Sequence, residues 1–339
     1  MIRLTKVELR RLFKRRLFRV LLAALFLTVL AIIVVNGALS NRDLAGAHAK
    51  AQQEAQGFLT QRPPGLEQAC GGSVTITPAP ASASRDGPGP VLKGAGPCTI
   101  FAPSASDLYQ DPRFSFADNG THLVVAAIAL VSILGFVIGT GFIGAEWTAG
   151  TFPLLLTWEP RRLRVLGSKL AALIITFVAI GVVTTVLLLF GGWLIAATRG
   201  TTAGITGAVK HHILMYSLRG LLLVVALTGA GAAIAGLTRH TAAALVGAVG
   251  YLVVFEIVVR RQHPEWIRWL LTTNAGALIG GWVHVDPVIR GPARFLSTPP
   301  PSVFVHADRA ALFLGILLVV LVATWALVLL RRDIDESAR

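Results

Sequence analysis

Residues 20–39 run for a full helical membrane crossing without one charged side chain. Apolar runs of similar length recur at 123–143, 170–197, 214–237, 242–259 and 310–330. A helix rising 1.5 Å per residue needs about 20 such residues to cross a hydrocarbon layer about 30 Å thick. Inside lipid every backbone polar group must be satisfied within the fold, and runs of this length do so as helices. The totals agree: 54% of residues are hydrophobic, 14% are charged, and mean hydropathy is +0.68. A soluble domain is nearer one quarter charged. These runs predict an all-α polytopic membrane protein with six spans, residues 1–339 forming a single transmembrane domain.

A formal net charge of +14 would suit nucleic acid, but the cations stand at the ends of apolar runs rather than on a soluble face. That placement excludes nucleic acid as a partner and reads as membrane orientation. Residues 1–19 carry eight Lys or Arg and a single acid, Glu8. Leu9, Leu12, Phe13 and Leu17 recur on one helical face, and Lys6, Arg10 and Lys14 on another. An amphipathic helix along the cytoplasmic leaflet follows, its cations near anionic headgroups. Segments 1–19, 144–169, 238–241 and 331–339 together hold sixteen Lys and Arg, against two in the connection 198–212. The positive-inside rule then puts both termini in the cytoplasm of a cell-membrane protein.

Two long polar segments are assigned outside. Residues 40–122 form an external loop insert, helix-prone at 42–61 and then Pro-, Gly- and Ser-rich, which favours irregular backbone over 62–112. Both cysteines, Cys70 and Cys98, lie in it. An oxidising exterior allows them to pair, worth about 3 kcal/mol by chain entropy; two free thiols are the alternative. Asn119-Gly120-Thr121 matches a glycosylation acceptor, although Asp118 or Asn119 as a cap for the next helix is the simpler reading. Residues 260–309 are the second external loop. Within it, 266–283 is nearly apolar enough to cross, but a seventh crossing would place Arg331 and Arg332 outside. Arg268 and a polar break at 272–276 also interrupt it. Two short re-entrant helices before the last span are expected, with Pro299 to Pro301 returning the chain extended.

Catalytic and nucleotide motifs are missing. The chain has no G-x-x-x-x-G-K-[ST] loop, no H-E-x-x-H, no G-x-S-x-G and no C-x-x-C. His211 and His212 are adjacent, so on a helix they face apart and make a poor metal site; no metal is expected. Glu256, inside the fifth apolar run, is a possible intramembrane polar site, or the structural partner of Arg260 one turn on. Arg219 is expected to snorkel to headgroups. Gly135, Gly139 and Gly144 offer small surfaces for close helix packing.

The polar stretch 144–169, held at a membrane face by two spans, carries the most specific pattern. It reads Glu146, Gly150-Thr151, Leu154-Leu155-Leu156, Pro160-Arg161-Arg162 and Lys169. Together with the six-span order, this resembles the permease subunit of an ABC transporter of the ABC-2 type, and the turn 236–241 is similar to that family's second cytoplasmic loop. The resemblance implies that 144–169 is a cytoplasmic coupling region docking on a separate ATP-binding subunit through Glu146, Gly150, Thr151, Pro160, Arg161 and Arg162. The 1–19 helix, with Arg10 and Arg11, would be the connecting helix beside it. It further implies a second permease subunit, the same or homologous. It implies no cofactor in this chain, ATP and Mg being bound by the partner, and so a subunit that is not itself an enzyme. The expected function is export of an apolar or amphipathic substrate. Two other classes compete: a non-catalytic membrane receptor or scaffold using the external insert, and an intramembrane enzyme built on His211, His212 or Glu256.

Overall fold

The computed structural model describes residues 2–60, 74–78, 98–102, 104–158, 161–285 and 303–331. Two compact units share the chain. The first comprises Met1–Val34, Phe116–Trp193 and Ala203–Arg339, and the second Val35–Ser115 and Leu194–Thr202.

The chain opens with α1 (Ile2–Lys14), broken at Arg15 from α2 (Arg16–Leu39). The polar insert contributes α3 (Leu44–Thr60), β1 (Val74–Pro78), β2 (Cys98–Ala102) and the short α4 (Ala105–Leu108). Long helices follow: α5 (Phe116–Thr148), the short α6 (Thr151–Trp158), α7 (Arg162–Thr198) and α8 (Gly207–Thr238). The fifth span runs through α9 (Thr241–Gly250), a π-helical turn (Tyr251–Glu256) and α10 (Ile257–Gln262). A 3-10 helix (Pro264–Trp269), α11 (Leu271–Gly280), β3 (Trp282–Val285), β4 (Val303–His306) and α12 (Ala307–Arg331) complete it. Six of these helices are long and apolar enough to cross a membrane. The all-α polytopic reading therefore holds, with two small sheets added.

In the first unit, α5 and α8 form the centre. Val124, Ala127, Ile128 and Val131 of one, and Val224, Ala232, Ala233 and Ala235 of the other, are fully buried. Glycines set the spacing, as expected for Gly135 and Gly139. A Cβ on Gly139 would lie 2.7 Å from the Thr228 carbonyl oxygen, and one on Gly231 2.5 Å from that of Phe136. Between helices in lipid, close dispersion contact of this kind replaces the hydrophobic drive. At 33 residues, α5 is about 50 Å long, so its ends outreach the hydrocarbon. Its start at Phe116 puts Asp118 in the first turn and Asn119 inside the helix, so neither is the cap expected from sequence.

Two short helices precede the last span, with the break between them at Leu270 rather than at 272–276. The polar residues that suggested the break are consumed in capping. Glu256 accepts from the Thr272 N–H (3.0 Å), and the Asn274 amide donates to the carbonyls of Arg268 and Leu270 (2.9 Å each). Beyond Gly281, at φ +90, β3 and β4 pair antiparallel, Trp282 opposite His306 and Val285 opposite Val303. The alternation in Trp282-Val283-His284-Val285 and Val303-Phe304-Val305-His306 is a strand signal that the sequence reading passed over.

In the second unit, α3 confirms the helix-prone start of the insert. β1 and β2 pair in parallel, Val74 beside Cys98, within the stretch expected to be irregular. Cys70, and with it the Cys70–Cys98 pairing, lies outside the described residues, as do Pro299 to Pro301.

Candidate coupling site

The described residues of 144–169 form the end of α5, a two-residue turn, α6 and the start of α7. Gly150 makes the turn: its φ is +66, and a Cβ there would meet nothing within 4 Å. Backbone conformation rather than space calls for glycine, in the left-handed position that terminates helices. Thr151 then opens α6 with its hydroxyl on the Glu146 carbonyl oxygen at 3.3 Å.

Under this elbow lies a buried ionic node. Lys169 of α7 is fully buried, and its Nζ donates to Glu146 Oε2 at 2.7 Å and to Glu8 Oε2 at 3.0 Å. Arg15, at the break between α1 and α2, donates to Glu146 Oε1 at 2.9 Å and to the Gly141 carbonyl oxygen at 3.3 Å. Arg11 closes the series on Glu8 Oε1 at 3.2 Å. Phe142 lies against both cations, 4.6 Å from the Arg15 guanidinium and 5.1 Å from Lys169 Nζ. Phe152 of α6 stacks on Trp147 at 4.6 Å, and Arg239, itself left-handed at φ 56, covers the other ring of that pair at 4.7 Å. The elbow, α1, the ends of α5 and α7 and the 238–241 turn therefore meet at one place.

Desolvating charges costs several kcal/mol each, so burial is tolerated only where partners saturate them. Here two carboxylates face two cations directly, with a half-exposed third. Such a node contributes little net stability but penalises any register other than its own. It also ties α1 to the end of α5 and the start of α7. The chemistry on offer is mechanical linkage between helices.

The predicted site residues divide accordingly. Glu146, expected at a docking surface, is only 8% exposed and committed to Lys169 and Arg15. Gly150, Thr151 and Arg161 are exposed. Arg161 precedes α7, its carbonyl accepting from the Arg164 N–H at 2.9 Å. Arg162 is half-buried and donates to the Leu329 carbonyl oxygen of α12 at 2.7 Å. Arg10 and Arg11 are exposed on α1, and Pro160 lies outside the described residues. Glu8 and Arg15 were missed as site residues, and Lys169 was noted only as the pattern's last letter. Their signals were faint: one acid among eight cations, and one lysine directly before a long uncharged run.

Elsewhere, Glu256 is 4% exposed and binds Thr272 through its N–H and, at Oε2, its hydroxyl. Arg260 turns to the same Thr272 hydroxyl at 2.9 Å, so a shared threonine replaces the direct pair expected. Glu256 serves the N-terminus of α11, while Arg260 bonds only threonine hydroxyls there. Arg219 packs against Gly281, where a Cβ would lie 2.7 Å from its Nη1, a protein contact where headgroups were expected. The rings of His211 and His212 are 6.4 Å apart at 81° and both residues are exposed.

No curated protein and no solved structure matches this chain. A family model described as "ABC-2 family transporter protein" matches residues 2–334, so it covers α1, all six long apolar helices and the elbow at Gly150. With six helices long and apolar enough to cross a membrane, the chain belongs to the ABC-2 transporter family, as a multi-pass membrane permease.

Proposed function

We propose that this permease is the membrane half of an ATP-driven exporter. A separate ATP-binding subunit docks on the Gly150–Arg161 elbow, and two permease chains, identical or homologous, enclose the path. The observation that carries this reading is the node: Lys169 ties the connecting helix to both spans bordering the elbow. Displacement of α6 by a partner would therefore move α1, α5 and α7 together, as rigid elements rather than as a compliant loop. ATP and Mg belong to the partner in this scheme, and the elbow with both termini faces the cytoplasm, a reading that the Lys and Arg distribution supports. The apolar outer faces of the spans suit a substrate that enters from lipid, hence an apolar or amphipathic one.

Arg161 is the residue to test, because its side chain is exposed whereas Arg162 is bonded to α12. In a reconstituted complex, Arg161→Glu should lower transport per ATP hydrolysed at least tenfold while the chain inserts and unfolds like wild type. Unchanged coupling in that variant removes Arg161 from the contact.

A further inference from the structure

The second unit contains a cleft that the transport scheme does not use. Ser40, Arg42, Thr198 and Arg199 line an open space of about 400 Å³, within the range of small-ligand sites. Among the described residues its lining is two guanidinium groups and two hydroxyls, with no carboxylate. The flanking acids are engaged elsewhere. Asp43 accepts from the Gly46 N–H at 2.8 Å, and Asp111 holds Arg113 at 2.7 Å.

The cleft is framed by the chain itself. The Ser40 hydroxyl donates to the Arg199 carbonyl oxygen and accepts from the Phe114 N–H, both at 3.1 Å. Arg199 Nη1 reaches the Gly37 carbonyl oxygen at 3.4 Å, and the Asn41 N–H reaches that of Pro112 at 3.0 Å. Arg199 is thereby pinned with most of its N–H donors unspent. Arg42 is exposed, and among the described residues its side chain has no hydrogen bond or ion pair.

Position supplies the second argument. Ser40 follows the last residue of α2, and Thr198 is the last residue of α7. Both helices are apolar spans, so the cleft opens where hydrocarbon gives way to headgroups. Converging guanidinium groups at that depth match the geometry and charge of phosphate oxygens.

We infer that Ser40, Arg42, Thr198 and Arg199 form a phosphate-binding site, occupied by the phosphodiester headgroup of a membrane lipid in the leaflet where the first span emerges. Arg42 and Arg199 neutralise the phosphate, while the Ser40 and Thr198 hydroxyls, which donate to the carbonyl oxygens of Arg199 (3.1 Å) and Leu194 (2.7 Å), frame the site rather than bind the anion. A lipid held there would pin the ends of the first and third spans to that leaflet.

Native mass spectrometry of the full chain in mild detergent, titrated with phosphatidylglycerol, tests this. Arg42→Gln is the informative variant because among the described residues the side chain makes no other hydrogen bond or ion pair; Arg42→Gln with Arg199→Gln is the second. Binding of one lipid per chain should weaken about tenfold in the single variant, the equivalent of one charge-assisted hydrogen bond, and disappear in the double. Substituting Arg3 and Lys6 on α1 should leave that lipid bound. Inorganic phosphate at millimolar concentration identifies the source: failure to displace the lipid assigns the site to headgroups, and full displacement assigns it to free phosphate. Equal lipid and phosphate binding in wild type and Arg42→Gln overturns the site.

Discussion

Replacing Lys169 by methionine probes the node most severely, because the side chain is fully buried and serves two acids at once. The substitution keeps volume and helix propensity, so the loss is one of charge. It strands Glu8, 3% exposed, and Glu146, 8% exposed. Removing one partner of a buried ion pair costs about 3–5 kcal/mol. Two compensations remain. Arg15 still holds Glu146, but Arg11, half in water, is worth at most about 1 kcal/mol to Glu8. Against this, α1 is anchored mainly by Leu12, fully buried and worth about 1.5–3 kcal/mol. The penalty exceeds the anchor, so α1 should leave its seat, with the docking equilibrium shifted about a hundredfold or more. Arg3, Lys6, Arg10, Arg11 and Lys14 make the event visible to trypsin. Cleavage within residues 2–14 of the purified variant should run at least tenfold faster than in wild type, while the spans stay protected. Adding Glu8→Gln to Lys169→Met removes one stranded acid and should restore part of the protection, the non-additivity expected of contacting groups. Wild-type cleavage rates in Lys169→Met would refute the claim that the node seats α1.

Two further substitutions test the packing around the site. Gly231→Leu, where even a Cβ would lie 2.5 Å from the Phe136 carbonyl, should part α5 from α8 and cost about 2–3 kcal/mol or more, read as a lower unfolding midpoint in detergent; an unchanged midpoint means the helices are not that close. Glu256→Ala should cost about 1–3 kcal/mol by leaving the start of α11 uncapped, whereas Glu256→Gln, which keeps an acceptor for the Thr272 N–H, should unfold nearly as wild type and retain transport. Transport lost in the glutamine variant at normal stability would make Glu256 a functional acid.

What could be read from the sequence is what is local along the chain. A span is a property of 20 consecutive residues, and α2, α5, α7, α8 and α12 were placed within a few turns. Glycine surfaces at 135 and 139 were legible for the same reason. The node was not, because Glu8 and Lys169 are 161 positions apart and nothing in either neighbourhood names the other. Glu146 looked like a surface acid beside water because one of its cations, Arg15, is 131 positions away, and the other, Lys169, stood at the far end of the same polar stretch with nothing to show that the two meet. At 272–276 the polar residues signalled a break, but the carboxylate that satisfies their helix start belongs to the fifth span. The strands at 282–285 and 303–306 were obscured by surroundings that favour membrane helices.

The central claim is that the elbow beneath Gly150 receives force from an ATP-binding subunit. The composition of the complex tests it most directly. Tagged wild-type chain, expressed in its own cells and purified in mild detergent, should have the mass of two permease chains with ATP-binding subunits bearing phosphate loops. Arg161→Glu should yield the same folded permease with those subunits reduced or lost. A permease that stays alone through several mild detergents, or one whose complex is indifferent to Arg161, would contradict it.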